Sequence, residues 1–444
     1  MIKTLRNALK VKEIREKLLY TFIALLVVRI GCQLPVPGVN KDYFAAWFEM
    51  QTALTFFNAM TGGSFTSMSI FALNITPYIT SSIIIQLLTI AIPKLEEMQK
   101  EGEDGRKKIA EYTRYLTIAL AVLESLAMAI GFGNQGLLEG GVTFTNVAVI
   151  VTALTAGTAF LMWLGERITE KGVGNGTSII LLINIVSSMP TDMANLYNQF
   201  IASASVLNKI IAAIVILVVI IGMVVFIILL QDGERKIPVQ YAKKVQGRKM
   251  VGGQSSHIPL KVNTAGVVPV IFASSLMSFP IVIAQFFGVY PQSGAGASFG
   301  QKILKILNQG AWCNFSSFGE FKYTLGLVLY IVLVIFFAYF YTSVTFNPIE
   351  VSNNMKKQGG FIPGIRPGKP TTDYLTKVLN NMIFIGAVGL MIVAVIPIFF
   401  SGAFGASVSF GGTSLIIVVG VVLETIKKIE SMMLVRHYKG FLND

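Results

Sequence analysis

Apolar residues run in long blocks along this chain. Ten blocks approach or exceed the roughly 20 residues that a helix needs to cross a bilayer. They cover about 18–35, 68–92, 112–132, 146–164, 178–197, 209–231, 264–289, 323–346, 375–400 and 408–426, with polar and charged residues gathered between them. One block is broken. Between Met60 and Pro93, a Gly62-Gly63 pair opens a small-residue piece that reaches Leu73; Asn74 and Thr76 interrupt it, and Pro77 restarts an uncharged run from Tyr78 to Ile92. A half-helix that stops inside a membrane leaves backbone groups that lipid cannot satisfy. Such a break is tolerated only where protein buries it or where it lines a watery cavity. The pattern therefore predicts a pathway through the protein.

Composition agrees with the blocks. The 444 residues are 53% hydrophobic and 13% charged, about half the charge of a soluble domain. The net charge of +13 gains meaning from its distribution, because cytoplasmic loops are enriched in Lys and Arg. With the N-terminus inside, the inner segments and the inner end of the third block hold 30 of the 36 basic residues. Arg29 lies within the first block, and only Lys41, Lys209, Lys302, Lys305 and Lys322 fall outside. The expectation is ten spans with both termini cytoplasmic. Six basic residues precede the first block without a convincing small-x-small exit, so it reads as a retained span.

Ten spans divide into two halves, 1–205 and 206–444. Because five is odd, the second half enters the membrane upside down, as in the inverted repeats of many transport pathways. Two echoes fit. Pro-x-Ile-x-x-Ser occurs at Pro77, Ile79, Ser82 and again at Pro269, Ile271, Ser274. Gly-Thr-Ser followed by an aliphatic residue occurs at Gly176, Thr177, Ser178, Leu181 and again at Gly412, Thr413, Ser414, Ile417. The two longest inner loops, about 232–263 and 347–374, are also the most basic. They read either as solvated connectors or as docking points for a cytosolic partner. Turn formers in the second loop preclude one smooth helix.

Catalytic and cofactor chemistry is missing. Gly364 to Thr371 resembles a phosphate loop, but Pro363 and Pro370 stand where glycine and Ser or Thr are required. His257 and His437 have no partner at metal-ligand spacing. Cys32 and Cys313 are too few for a disulfide framework. Away from the span ends only Arg29 and Glu124 are ionisable, and such residues default to functional hypotheses. Arg29 has room to snorkel; Glu124 could pair with it or with a polar group. A proton- or sodium-coupled transporter would place carboxylates deeper and in greater number.

The chain resembles the SecY family, the channel subunits of the bacterial protein-export translocon. The resemblance covers essentially all ten spans. It is carried by GGSFTSMSIFALNITPYITSSIIIQLLT (62–89), EGEDGRKKIAEYTRY (101–115), LMWLGERITEKGVGNGTSII (161–180), HIPLKVNTAGVVPVIFASS (257–275), FNPIEVSNNMKKQGGFIPGIRPG (346–368) and FGGTSLIIVV (410–419). It implies an all-α integral membrane protein, ten transmembrane helices in two inverted five-helix halves around an hourglass pore, with no enzyme activity and no cofactor. The implied waist is a ring of Ile75, Ile79, Thr177, Leu181, Ile271 and Ile417. Thr177 departs from the family's aliphatic pattern. A plug at about 57–67 would include Phe57, Met60, Gly62, Gly63, Ser64 and Phe65, with the small Gly62, Gly63, Ser64, Thr66 and Ser67 making it cheap to displace. A lateral gate would set Thr80 and Ile83 against Ser275 and Phe279. Arg248, Lys249 and Arg366 match positions that engage the SecA motor or the ribosome. Further implied partners are SecE-like and SecG-like small membrane subunits, signal sequences, translocating polypeptides and the lipid bilayer of the bacterial cytoplasmic membrane. The alternative function is a secondary transporter for a small solute.

Overall fold

Within a bilayer a backbone must satisfy its own hydrogen bonds, and a helix does so within one segment. The computed structural model describes residues 9–40, 44, 58, 61–134, 136, 138, 141–202, 206–241, 244–246, 249–251, 255–286, 289, 291, 298–313, 322–404 and 412–440. Each apolar block overlaps one long helix there. In chain order the helices are α1 (Lys12–Gly31), α2 (Thr76–Ala91), the short α3 (Pro93–Lys100), α4 (Glu103–Asn134), α5 (Phe144–Lys171), α6 (Gly176–Leu196) and α7 (Val206–Asp232). They continue with α8 (Val268–Phe286), the short α9 (Phe299–Leu307), α10 (Leu325–Thr345), α11 (Pro348–Lys357), α12 (Lys369–Phe404) and α13 (Gly412–Gly440). Among the described residues, six helices are long and apolar enough to cross a membrane; α2 and α3 add a seventh as a pair bent by 106°. The ten blocks thus reappear as ten helices, while length and composition alone certify fewer as spans. The apolar part of α8, for instance, is only Val268–Ile281.

The two sets of five helices pair by one scheme. In the first, α1 packs on α5 and α6, α2 on α4, α4 on α5, and α5 on α6. In the second, α7 packs on α12 and α13, α8 on α10, α10 on α12, and α12 on α13. Span for span these are the same five contacts. The sets meet where α6 touches α13 and where α4 touches α8.

The break is wider than its sequence implies. The predicted block 68–92 becomes helical only at Thr76, and residues 62–75 form consecutive turns in place of a half-helix. Gly62, Gly63, Met68 and Asn74 all take positive φ, which an α-helix excludes. Ser64 donates to the Thr61 carbonyl, and Ser67 to those of Gly63 and Ser64. These local bonds compete with a helix for the backbone.

The two long basic loops are not separate connectors. β1 (Glu234–Tyr241) pairs antiparallel with β4 (Ser255–Lys261) and, on its other edge, with β5 (Gly360–Phe361) from the second loop. Two further short strands, β2 (Lys244–Gln246) and β3 (Lys249–Val251), pair at the far end of the hairpin. Ile237, Val239 and Leu260 bury one face against Met355, Ile362 and Leu375, giving these two loops their own small core.

Candidate functional site

One apolar cluster draws its members from both helix sets. Its buried members include Val28 of α1, Ile75 at the break, Leu161 of α5, Ile180 of α6 and Ile417 of α13; Ile79 and Ile271 pack against it half-buried. Four of the six residues expected at a waist are therefore brought together from both halves. Leu181 is buried on α6 outside that cluster. Thr177 is half-buried in the first turn of α6. Its hydroxyl donates to Asn175 Oδ1 at 2.8 Å, and its backbone N–H to the same atom at 3.2 Å. The hydroxyl thus completes the helix cap, and its methyl points towards Gly165 of α5.

The turns before α2 are fastened to the helices around them. Gly62 presses against α6: a Cβ there would sit 2.7 Å from the Asn184 carbonyl oxygen, at a φ of +65°. Its own carbonyl accepts from the Arg29 guanidinium at 3.3 Å and from the Ser187 hydroxyl at 3.4 Å. Arg29 therefore serves the break; no ion pair joins it to Glu124 among the described residues. Asn184 also donates to Asn74 Oδ1 at 3.2 Å. Ser67 donates to the Cys32 carbonyl, and residues 34–36 run beside 68–70 through two backbone bonds of 2.9 Å.

Small residues do not describe this segment fully. Phe65 is 3% exposed and packs edge-on against Phe44 and Phe132 at ring separations of 5.9 and 6.3 Å. Met68 is buried in the same cluster. This aromatic anchor was missed from sequence, since Phe44 lies 21 positions upstream and Phe132 in another helix. The remaining signal was modest: one phenylalanine in an otherwise small and polar run. Phe57 and Met60 fall outside the described residues.

At the α4–α8 seam, Ile83 of α2 packs into the core of the second half. Thr80 and Ser275 are half-buried, Thr80 donating to the Thr76 carbonyl at 3.1 Å, and Phe279 is 43% exposed.

The SecY family profile matches residues 69–426. The chain is 43% identical over 451 aligned residues to the protein translocase subunit SecY of Halalkalibacterium halodurans and to that of Bacillus subtilis, with 100% of both chains covered in each case. Against the Thermotoga maritima subunit it is 41% identical, covering 100% of this chain and 98% of the relative. The chain belongs to the SecY family. Solved structures share its fold. One described as the structure of a protein conducting channel aligns with a TM-score of 0.61 at 17% identity, over 95% of this chain and 93% of that one. Sec61 in the canine ribosome-channel complex aligns at 0.59 and 17% identity, with the same coverage.

Within this SecY-family fold, the two long basic loops hold the remaining expected site. Arg366 is exposed on a turn between Pro363 and Pro367, with Gly364 and Gly368 at positive φ. The turn is closed by Thr371, which donates to the Arg366 carbonyl at 2.8 Å, and by Ser352, which donates to that of Gly368 at 3.2 Å. Asn347 caps α11 beneath it, accepting from Ile349 and Glu350. Arg248 lies outside the described residues, and Lys249 is placed by its backbone alone, in β3.

Proposed function

We propose that this chain is the central protein-conducting channel of a bacterial Sec translocon, passing unfolded secretory polypeptides across the cytoplasmic membrane and releasing membrane segments sideways into it. The observation that carries the reading is the apolar cluster in which Ile75 and Ile79 meet Ile271 and Ile417 beside the broken span. An aliphatic constriction gates by dewetting. It disfavours water and ions yet grips no particular side chain of a sliding polypeptide. Leu181 and Thr177 complete the ring from α6.

The turns around Gly62, Gly63, Ser64 and Phe65, together with Phe57 and Met60, act as the plug. The α2–α4 and α8–α10 pairs form the lateral gate, with Thr80 and Ile83 facing Ser275 and Phe279. A signal sequence replaces those contacts with its own and shifts the closed–open balance. The halves are 1–205 and 206–444, both termini are cytoplasmic, and the sheet with Arg366, Lys249 and Arg248 is the cytosolic docking face. SecA or a ribosome binds there, ribosomal RNA favouring such cations. SecE-like and SecG-like subunits complete the assembly. The chain catalyses nothing itself, and its partners supply the energy. The relatives lend no support to the small-solute transporter.

The test reconstitutes the chain with its small subunits in vesicles and adds SecA, ATP and a signal-bearing preprotein. Protease protection of the preprotein that requires both this chain and ATP is expected. Its absence with a competent partner set would count decisively against the channel.

A further inference from the structure

Helix α9 stands apart from the pore. It packs on α8 and α10 at the ends remote from the sheet, and on the Lys322–Thr324 turn that runs directly into α10. It is firmly held. The Ser298 N–H donates to Gln301 Oε1 at 2.9 Å at its start, and Trp312 Nε1 to the Ile306 carbonyl at 2.6 Å near its end. Leu304 is buried and Leu307 reaches the core of the second half. Yet its apolar arc is wider than the protein covers: Phe299 is 80% exposed and Ile303, one turn on, 41%.

Two observations say what covers that pair. The first is continuity with the lipid-facing wall. Leu325 and Val328, in the first turn of α10 directly after the Lys322–Thr324 turn, are 62% and 55% exposed on a helix apolar enough to span a membrane. Helix α9 therefore lies at the level where that span leaves the hydrocarbon. The second is charge. Three of the five lysines assigned to the outer side, Lys302, Lys305 and Lys322, sit on α9 or beside it, against the single acid Glu320 between residues 287 and 324. Lys305 and Lys322 lie 4.8 and 5.3 Å from the Tyr323 ring, so the basic groups are gathered at one spot. Outer lysines run against the usual charge bias, and their concentration beside an exposed apolar pair is the pattern of an interfacial amphipathic helix.

We propose that α9 is a built-in membrane anchor. It lies in the outer-leaflet interface with Phe299 and Ile303 at the acyl boundary and with Lys302 and Lys322 on the phosphates of anionic phospholipids. It thereby ties the outer ends of α8 and α10 to the lipid surface. The inference rests on the channel reading for which side is outer.

The test is a depth measurement on the full chain in nanodiscs. Nitroxides are attached at Phe299→Cys and Ile303→Cys, with the unsubstituted chain as baseline. Cys32 and Cys313 are buried, and burial pushes the Cys313 thiol above its ordinary range, so both native thiols are shielded. In discs of phosphatidylcholine with phosphatidylglycerol, collisions with aqueous nickel chelate should fall several-fold relative to collisions with oxygen. A Lys302→Gln/Lys322→Gln chain should lose most of the difference between these discs and discs of phosphatidylcholine alone. Labels open to nickel in both lipids would overturn the proposal, as would labels shielded from both nickel and oxygen, which would mean a protein cover. Preprotein translocation by the same variants in vesicles reports separately on the channel itself.

Discussion

Helices α2 and α8 hold equivalent places in the two halves, and both begin with Pro-x-Ile-x-x-Ser. What precedes them differs completely. Before α2, residues 62–75 coil into turns fixed to α1 and α6 by Arg29, Asn184 and Ser187. Before α8, β1 and β4 form a hairpin with a core of its own. The repeat thus supplies two like helix starts, and the preceding segment decides what stands before each: turns packed among the helices in one half, a sheet in the other. Small residues and positive φ let one segment fold into the space between the helices. Strict alternation of Ile237, Val239 and Tyr241 sends the other into a sheet.

The largest expected effect comes from breaking the stopper side. Phe65→Ala removes the ring that meets Phe44 and Phe132, a loss of about 3 kcal/mol. Resting ion conductance in planar bilayers should rise roughly a hundredfold in open probability. Unchanged conductance would mean that Phe65 does not hold the closed state. On the other side, Ile237→Ala should weaken the sheet by roughly 2 kcal/mol. Because β5 pairs with β1, protease sensitivity should rise in both inner loops together while resting conductance stays put. Cleavage confined to 232–263 would break the claim that the loops share one fold.

Smaller changes sharpen the contrast. Arg29→Gln removes one charge-assisted bond to Gly62, about 1 kcal/mol, so open probability should rise about fivefold. A variant indistinguishable from the parent would return Arg29 to a purely topological role. Thr177→Ile should lower ion leak through an unplugged channel by the least, because its hydroxyl already serves Asn175. Equal single-channel conductance would remove Thr177 from the waist.

Much of this was legible from the residues. Ten long apolar blocks became ten helices because lipid leaves the backbone no other partner. The Gly62-Gly63 pair, Asn74 and Pro77 marked the break, and of the four positions in the two echoes Ile79, Ile271 and Ile417 share one apolar cluster while Leu181 lies outside it. The rest depended on distant contacts. Ser64 and Ser67 turn the backbone through local bonds that a hydropathy pattern does not carry. The value of Phe65 lies in Phe44 and Phe132. The hairpin of β1 and β4 carries Pro238 and Pro259 opposite His257 and Lys236, and prolines, which donate nothing to a ladder, obscure a strand pattern. Helix α9 is nine residues long, too short for a span pattern to register.

The most direct measurement places a single cysteine at Ile79 or Ile271 and, as a lipid-facing control, at Leu217, which is 58% exposed. A preprotein stalled in mid-passage carries a matching cysteine. Disulfide capture at Ile79 and Ile271, dependent on SecA and ATP and absent at Leu217, is the expected result. Efficient translocation with no capture at either ring position would contradict the claim that the polypeptide passes through this apolar cluster.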